Sequence, residues 1–454
     1  MPDKLHRHFQ WVGGGIYLTA LLVVSLCFRT AALKALWWAW GLCTVLFFFV
    51  MSYWYYRQWR NDDSKLFLRK VFLWALGIRL VYVAFCMFYY YYQTGISMEY
   101  GAADSLGYHD MACYLSNLAR HGQFRELFGT LNSNTMGFSD QGYIIYLTAL
   151  YTCFGNNILG PRILKALMSA YLCVVIYKLA SRNLGERTAR IAAVMSVFLP
   201  QFIHYTGTYM KETEMVFLAT LAMERMDYLI HSRKYSLWNI LIPFVLTALT
   251  FGFRTIVGMA LIASFLVYVL CCDKTLISKR TRIITIITTV ILSIVLLFSP
   301  IGWEMYLIFR INIGTGDANL EKYLFPGFLT LPLTNLVEVA NANQKMMNGT
   351  FFVKNYLAFF ALWSIVVAFR EKQWRKLSLV GSYTILYALM IAFSFAFNSE
   401  RYHLPVMPGL LIMAAFAMSH FRKRDFKYYY AYCALLLVAI VAWNYVKVAG
   451  IGSI

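Results

Sequence analysis

Long apolar runs, separated by short polar stretches, dominate the sequence. About 20 helical residues cross the hydrocarbon core of a bilayer, whereas the strands of an outer-membrane barrel are ~10-residue segments of alternating polarity. The thirteen apolar runs are 13–28, 36–56, 71–93, 161–182, 190–208, 212–230, 238–252, 255–272, 283–299, 352–369, 377–397, 404–420 and 428–448. The pattern therefore predicts an all-α, polytopic helical membrane protein with about 13 transmembrane helices.

Basic residues concentrate in every second loop between these runs. Their segments are 57–70, 182–190, 233–234, 274–282, 370–376 and 422–427. Loops rich in Lys and Arg stay in the cytoplasm. The alternation predicts a cytoplasmic N-terminus and an outward-facing C-terminus.

Composition supports a membrane protein and excludes two other classes. Of the 454 residues, 60% are hydrophobic and 14% charged, which excludes a soluble globular enzyme. The formal charge of +20 is explained by the cytoplasmic loops, so no nucleic-acid partner is expected. The cysteines and histidines show no metal-ligand spacing; we expect neither a metal nor a cofactor.

Two predicted outer segments, 94–140 and 300–351, are too long to be simple connections. Long loops in an otherwise economical membrane protein are usually functional. The apolar segment 141–155 is too short to cross a bilayer. It is expected to form a helix that lies in the outer interface or dips into the protein.

The first outer segment contains the first candidate site. Helical spacing of apolar residues predicts an amphipathic interfacial helix over 104–119; these residues are Leu106, Met111, Leu115 and Leu118. Asp104 stands at its start, one turn before Tyr108, and Asp110 follows nearby. Asp104 could serve chemistry or could simply be a helix N-cap.

Two further candidates lie where apolar runs meet at the outer face. Lys211 and Glu212 stand side by side at one boundary, where they could also be interfacial anchors. Arg254 separates two apolar runs with almost no loop, so it should face a cavity or an anion unless it snorkels to the headgroups. An ionisable residue near the membrane is a functional candidate by default.

The fourth candidate is a charged stretch between two outer helix ends, containing Glu400, Arg401 and His403. Pro405 and Pro408 follow and would open or kink the first turns of a helix. Backbone donors freed beside these cations would suit a phosphate.

Together, these candidates provide what transfer from a lipid phosphate requires. A carboxylate can deprotonate an acceptor hydroxyl or amine. Fixed cations can neutralise the departing phosphate in a water-poor site. The sequence contains no Walker A motif for a soluble nucleotide.

Five motifs occur in a characteristic order. The first is an acidic residue followed by a tyrosine and a small residue at helical spacing (Asp104, Tyr108 and Ala112), and the second is a Gly-Tyr that leads an apolar segment to Phe-Gly (Gly142, Tyr143, Phe154 and Gly155). The third is an Arg-x-x-Lys-Ala-Leu helix (Arg162, Lys165 and Gly185), and the fourth is a proline-containing helix that ends in Lys-Glu (Pro200, Lys211 and Glu212). The fifth is Glu-Arg-Tyr-His-Leu-Pro-x-x-Pro, from Glu400 to Pro408. In this respect the chain resembles the GT-C superfamily of polytopic glycosyltransferases, especially the bacterial branch related to protein O-mannosyltransferases and the lipid A aminoarabinose transferase.

The resemblance implies inverting transfer of a sugar from a polyprenyl-phosphate donor to a glycan, lipid or protein acceptor, on the outer side of a bacterial inner membrane. It implies Asp104 as catalytic base with Glu212 in support; Tyr108, Lys211, Arg254 and the Glu400–His403 stretch would bind substrate, and the roles of Asp104 and Asp110 could be exchanged. Residues 71–427 would form the catalytic module, after two extra helices in 1–70 and before a last helix in 428–454.

Two other readings stay open. A polysaccharide polymerase or ligase using undecaprenyl-diphosphate-linked chains would depend on Arg401 and His403 more than on Asp104. A lipid or solute transporter would place ionisable groups near mid-membrane, where Arg79 is the main exception to otherwise nearly charge-free runs.

Overall fold

The structure is a computed structural model, and it describes residues 2–101, 103–133, 138–232, 236–272, 276–300, 302–303, 306–307, 332–338, 342–393 and 400–450. The α-helices in these ranges are α1 Pro2–Cys27, α2 Ala35–Trp59, α3 Ser64–Thr94, α4 Ala103–Arg120, α5 Phe124–Ser133, α6 Phe138–Phe154, α7 Leu159–Leu184, α8 Glu186–Phe198, α9 Pro200–Gly207, α10 Glu212–Ser232, α11 Leu237–Phe253, α12 Thr255–Cys271, α13 Lys279–Leu297, α14 Ala342–Met346, α15 Asn348–Arg370, α16 Ser378–Phe393, α17 Met407–Ser419 and α18 Phe426–Val448. A 3₁₀ helix, Glu400–Val406, precedes α17.

The predicted fold class, an all-α membrane protein, is confirmed. Every predicted apolar run overlaps described helix, although the end of the run 377–397 lies outside the described residues. Seven described helices are long and apolar enough to cross a membrane. The total of thirteen crossings stays a prediction, because several helices, such as α11 and α12, are shorter. The prediction that residues 1–70 form a separate unit of two extra helices also stays a prediction. Helix α3 begins at Ser64, so it crosses the predicted boundary at residue 70.

The predicted span 190–208 is two helices rather than one. Pro200 has no N–H to donate to the Ser196 carbonyl, and the chain breaks between α8 and α9 at Leu199, where the backbone is extended. Arg79 of α3 supplies the missing donors: its guanidinium donates to the carbonyls of Ser196 and Val197, both at 3.2 Å. The buried Arg79 thus stabilises a helix break, which accounts for an arginine within a membrane span.

The segment 94–140 forms α4 and α5, and the short apolar segment after it forms α6. Helix α6 packs against both α4 and α11, and its other face, which includes Ile145 and Phe154, is exposed. It approaches α11 at two glycines: a Cβ on Gly142 would lie 2.6 Å from the carbonyl carbon of Gly252. This close contact brings the start of α6 to the junction of α11 and α12.

Helix α4 buries a slightly different face from the predicted one. Its buried residues are Ser105, Tyr108, Ala112, Leu115, Ser116 and Leu118. Ser105 and Ser116 are polar residues that are tolerated inside because their hydroxyls are bonded: Ser105 donates to Glu99, and Ser116 donates to the Asn156 side chain at 3.0 Å. Tyr108 therefore lies on the face of α4 that packs against the rest of the protein.

Candidate active site

Three ion pairs meet where α4, α6, α10, the α11–α12 junction and the 3₁₀ helix come together. The cations and carboxylates pair as Arg401 with Asp104, Arg254 with Glu212, and Lys211 with Asp140. Each pair joins two elements that are distant in sequence. The charges of Arg254, Glu212, Arg401 and Asp104 all act on Lys211, so the three pairs form one cluster.

Asp104 is the most accessible carboxylate of the three pairs. It lies in the first turn of α4, and its side chain is 49% exposed. Its Oδ2 accepts from Arg401 Nη1 at 2.5 Å. Asp104 is thus held by a cation yet keeps much of its surface open to a substrate.

The pair formed by Arg254 and Glu212 is buried. Arg254 is the single residue between α11 and α12; its extended backbone donates to Thr250 and accepts from Val257. Its Nη2 lies 3.5 Å from Glu212 Oε1, with side chains 10% and 2% exposed, respectively. Arg254 Nη1 and Glu212 Oε2 are buried with no hydrogen-bond partner among the described residues. A polar ligand could satisfy both.

Lys211 lies in the turn between α9 and α10, and it reaches α6 rather than its neighbour Glu212. Its Nζ donates to the Asp140 carboxylate and to the Ser139 carbonyl. Burial, reinforced by the nearby Arg254 guanidinium, lowers the pKa of Lys211 to about 7. Its charge therefore changes near neutral pH.

Tyr108 lies against this cluster from α4. It is buried, and its ring packs edge-on against Tyr143 with centroids 5.2 Å apart. Burial, together with the Glu212 and Asp104 carboxylates, raises the pKa of Tyr108. It stays a neutral phenol that can donate a hydrogen bond.

A second set of buried charges supports the turn that carries Lys211. Lys165 of α7 donates to the Thr208 carbonyl at 3.0 Å and lies 3.5 Å from the Glu214 carboxylate. Glu99 accepts from the backbone N–H of Tyr209 at 3.0 Å. These contacts fix the turn between α9 and α10, and they thereby position Lys211 and Glu212.

The structure brings together six of the nine predicted site residues: Asp104, Tyr108, Lys211, Glu212, Arg254 and Arg401. Asp110 is exposed on α4, about 120° around the helix from Asp104, away from the ion pairs. His403 is buried at 1% exposure. The side chain of Glu400 lies outside the described residues.

Two residues of the cluster, Asp140 and Tyr402, are not among the individually predicted site residues. Asp140 directly precedes the Gln-Gly-Tyr that opens the short apolar segment, and Tyr402 lies within the Glu-Arg-Tyr-His stretch. The ring of Tyr402 contacts two cations: its centroid is 4.4 Å from Arg254 Cζ and 5.0 Å from Arg401 Cζ. Tyr402 thus lies inside a recognised motif, whereas Asp140 stands two residues before one, and this proximity is the available sequence signal.

The arrangement combines a partly open carboxylate with three cations in a largely buried setting. Such cations can bind an anion and stabilise negative charge as it develops. The described residues contain no group of three or more His, Cys, Asp or Glu side chains that could hold a metal ion.

Comparison with known proteins gives one family match. The family model described as dolichyl-phosphate-mannose-protein mannosyltransferase matches residues 141–303. The match includes Lys211, Glu212 and Arg254, whereas Asp104 and Arg401 lie outside it. It confirms the resemblance to the GT-C superfamily of membrane glycosyltransferases over a part of the chain that contains three of the five motifs, those between Gly142 and Glu212.

Among solved structures, the chain is similar to the archaeal oligosaccharyltransferase AglB from Archaeoglobus fulgidus, in complex with an inhibitory peptide and a dolichol-phosphate. The TM-score is 0.44 at 11% identity, and the alignment covers 86% of this chain and 56% of that chain. This chain thus spans little more than half the length of AglB. Comparison with curated proteins gave no match.

Proposed function

We propose that this protein is an integral membrane glycosyltransferase that moves a sugar from a polyprenyl-phosphate carrier to a glycan, lipid or protein acceptor at the outer membrane face. The observation that carries the proposal is the cluster of three cation–carboxylate pairs, in which Asp104 is the most exposed carboxylate. The family match over 141–303 supports the same chemistry.

In the proposed reaction, Asp104 accepts the proton of the acceptor's hydroxyl or amine. The acceptor atom attacks the anomeric carbon from the face opposite the phosphate, which inverts the configuration. The bond between that carbon and the phosphate oxygen breaks, and its electron pair leaves with the polyprenyl phosphate. Arg254, Arg401 and Lys211 neutralise the charge on this leaving group.

The test compares two variants on the same helix. Asp104→Asn removes the proposed base but keeps the shape of the side chain, and Asp110→Asn makes the same change on the exposed part of α4. In vesicles supplied with polyprenyl-phosphate sugars and a membrane extract as acceptor, Asp104→Asn should lower transfer by at least about 100-fold. Asp110→Asn should retain transfer.

Other outcomes separate the competing readings. The reverse result would exchange the roles of Asp104 and Asp110. Full activity of Asp104→Asn together with loss in Arg401→Gln and His403→Gln would favour a polymerase or ligase. Flux of lipid or solute across the vesicles without a covalent product would favour a transporter.

A further inference from the structure

Tyr402 connects the two arginines of the cluster. Arg401 is its neighbour in the chain, whereas Arg254 reaches it from the α11–α12 junction. Both guanidinium groups lie within cation–π distance of the same ring, 4.4 Å for Arg254 and 5.0 Å for Arg401. Arg401 Nη2 also donates to the Tyr402 hydroxyl at 3.2 Å.

The backbone of Tyr402 is anchored by an element that carries neither arginine. The hydroxyl of Tyr387, a buried residue of α16, donates to the Tyr402 carbonyl at 2.9 Å. The position of the tyrosine is therefore set by α16 as well as by its two arginine contacts.

Two guanidinium groups this near one another repel. Each has a carboxylate partner, Glu212 for Arg254 and Asp104 for Arg401. An aromatic face carries a negative quadrupole, so one ring can attract both cations without competing for protons. Held in this way, the arginines lose less conformational entropy when an anion binds them.

We propose that Tyr402 is a positioning residue that sets the spacing of Arg254 and Arg401 for the phosphate of the lipid-linked donor. This inference rests on the proposed function and deepens it. Since Tyr402 acts through the two arginines, its main effect is on binding of the donor phosphate, and any effect on the transfer step follows from the same two arginines.

The experiment measures equilibrium binding of polyprenyl phosphate to the purified full-length protein in detergent. Tyr402→Leu removes the ring and should weaken binding by roughly tenfold, the scale of a partly desolvated cation–π contact. Tyr402→Phe keeps the ring and loses only the hydroxyl, so it should bind much nearer to the parent. In the transfer assay, Tyr402→Leu should raise the donor KM by a larger factor than it lowers kcat.

A matched control is available at the other end of the protein. Tyr428 of α18 is exposed and lies 4.8 Å from Lys427 Nζ, so Tyr428→Leu removes a comparable tyrosine far from the cluster. It should bind polyprenyl phosphate like the parent. Thermal unfolding checks that each variant is folded, and Tyr402→Met replaces Tyr402→Leu if the leucine variant does not fold.

Each result supports or contradicts a specific statement. Parent-like binding by Tyr402→Leu, or an equal loss in Tyr402→Phe, would overturn the role of the ring. A fall in kcat with an unchanged donor KM would overturn it as well. Weaker binding by Tyr402→Leu in a protein that transfers no sugar would uphold this inference and overturn the proposed function, and a parent that does not bind polyprenyl phosphate would overturn both.

Discussion

The protonation of Lys211 is the property of a single residue that is easiest to follow in solution. Burial and the Arg254 charge lower its pKa to about 7, so the side chain is a cation below this pH and becomes neutral above it. If the cation helps to hold the donor phosphate, the donor KM should rise several-fold as the pH increases from about 6 to about 8.

Lys211→Arg separates this effect from other titrations. Arginine stays protonated throughout this range, so the variant should show a donor KM that is nearly independent of pH. The measurement is initial transfer rate against donor concentration at several pH values. If the parent and Lys211→Arg show the same alkaline rise, another group is responsible.

The choice of residues could be made from sequence, but their pairing could not. Lys211 and Arg254 stand at the ends of apolar runs, and Asp104 stands at the start of a predicted amphipathic helix, which is why these residues can be selected from sequence. The contact between Lys211 and Asp140 depends on how α6 packs against α11, and no local pattern encodes that packing. Tyr402 is one of 33 tyrosines, and although it lies in the Glu-Arg-Tyr-His motif, only its contacts show that it joins the two arginines.

Helix α6 is the element on which the cluster depends most directly. Gly142 contacts backbone atoms of Gly252 on α11, and backbone atoms cannot move aside as a flexible side chain can. Gly142→Ala should therefore displace α6, together with the Ser139 and Asp140 groups that bind Lys211. We expect a loss of about 1–3 kcal/mol in the free energy of unfolding and a several-fold loss of transfer.

Gly381→Ala is the matched control for this substitution. Gly381 also lies in a helix, α16, but no atom lies within 4 Å of an added Cβ. Because alanine is favoured over glycine in helices, this variant should be unchanged or stabilised by up to ~1 kcal/mol. The measurements are the thermal unfolding and the transfer rate of both variants. If Gly142→Ala and Gly381→Ala give the same stability and the same transfer rate, the close contact of α6 with α11 is unimportant.

The positions of the helices can be predicted from the lengths of the apolar runs. The helix breaks, and the residues that each helix buries, are seen only in the tertiary structure. The proline at position 200 was visible within an apolar run, yet a proline can kink a helix or end it. The break is stabilised by Arg79 from a helix more than 100 residues away in sequence. In the same way, α6 is short enough for an interfacial helix, and only the structure shows that one of its faces packs against α4 and α11.

At the scale of the whole molecule, the cluster occupies one end of the helical bundle. Helix α10 begins at Glu212 in the cluster, and its far end is tied to α7 by the pair of Asp227 with Arg182, at 2.7 Å. Helix α7 has 26 residues and is therefore about 39 Å long, more than the ~30 Å core of a bilayer. We expect α7 to cross the membrane, which would place the two ends of the bundle on opposite sides.

The loop charges predict which side each end faces. The segment 422–427, which follows α17 at the end away from the cluster, is rich in basic residues and should be cytoplasmic. Two exposed positions, Gln123 near the cluster end and Arg424 at the far end, can report sidedness when each is replaced by cysteine in a variant lacking the nine native cysteines. A membrane-impermeant maleimide should label Gln123→Cys in intact cells and Arg424→Cys only after permeabilisation. The opposite labelling would place Asp104 and its three neighbouring cations in the cytoplasm, where soluble nucleotide sugars are made, and would exclude a reaction at the outer face.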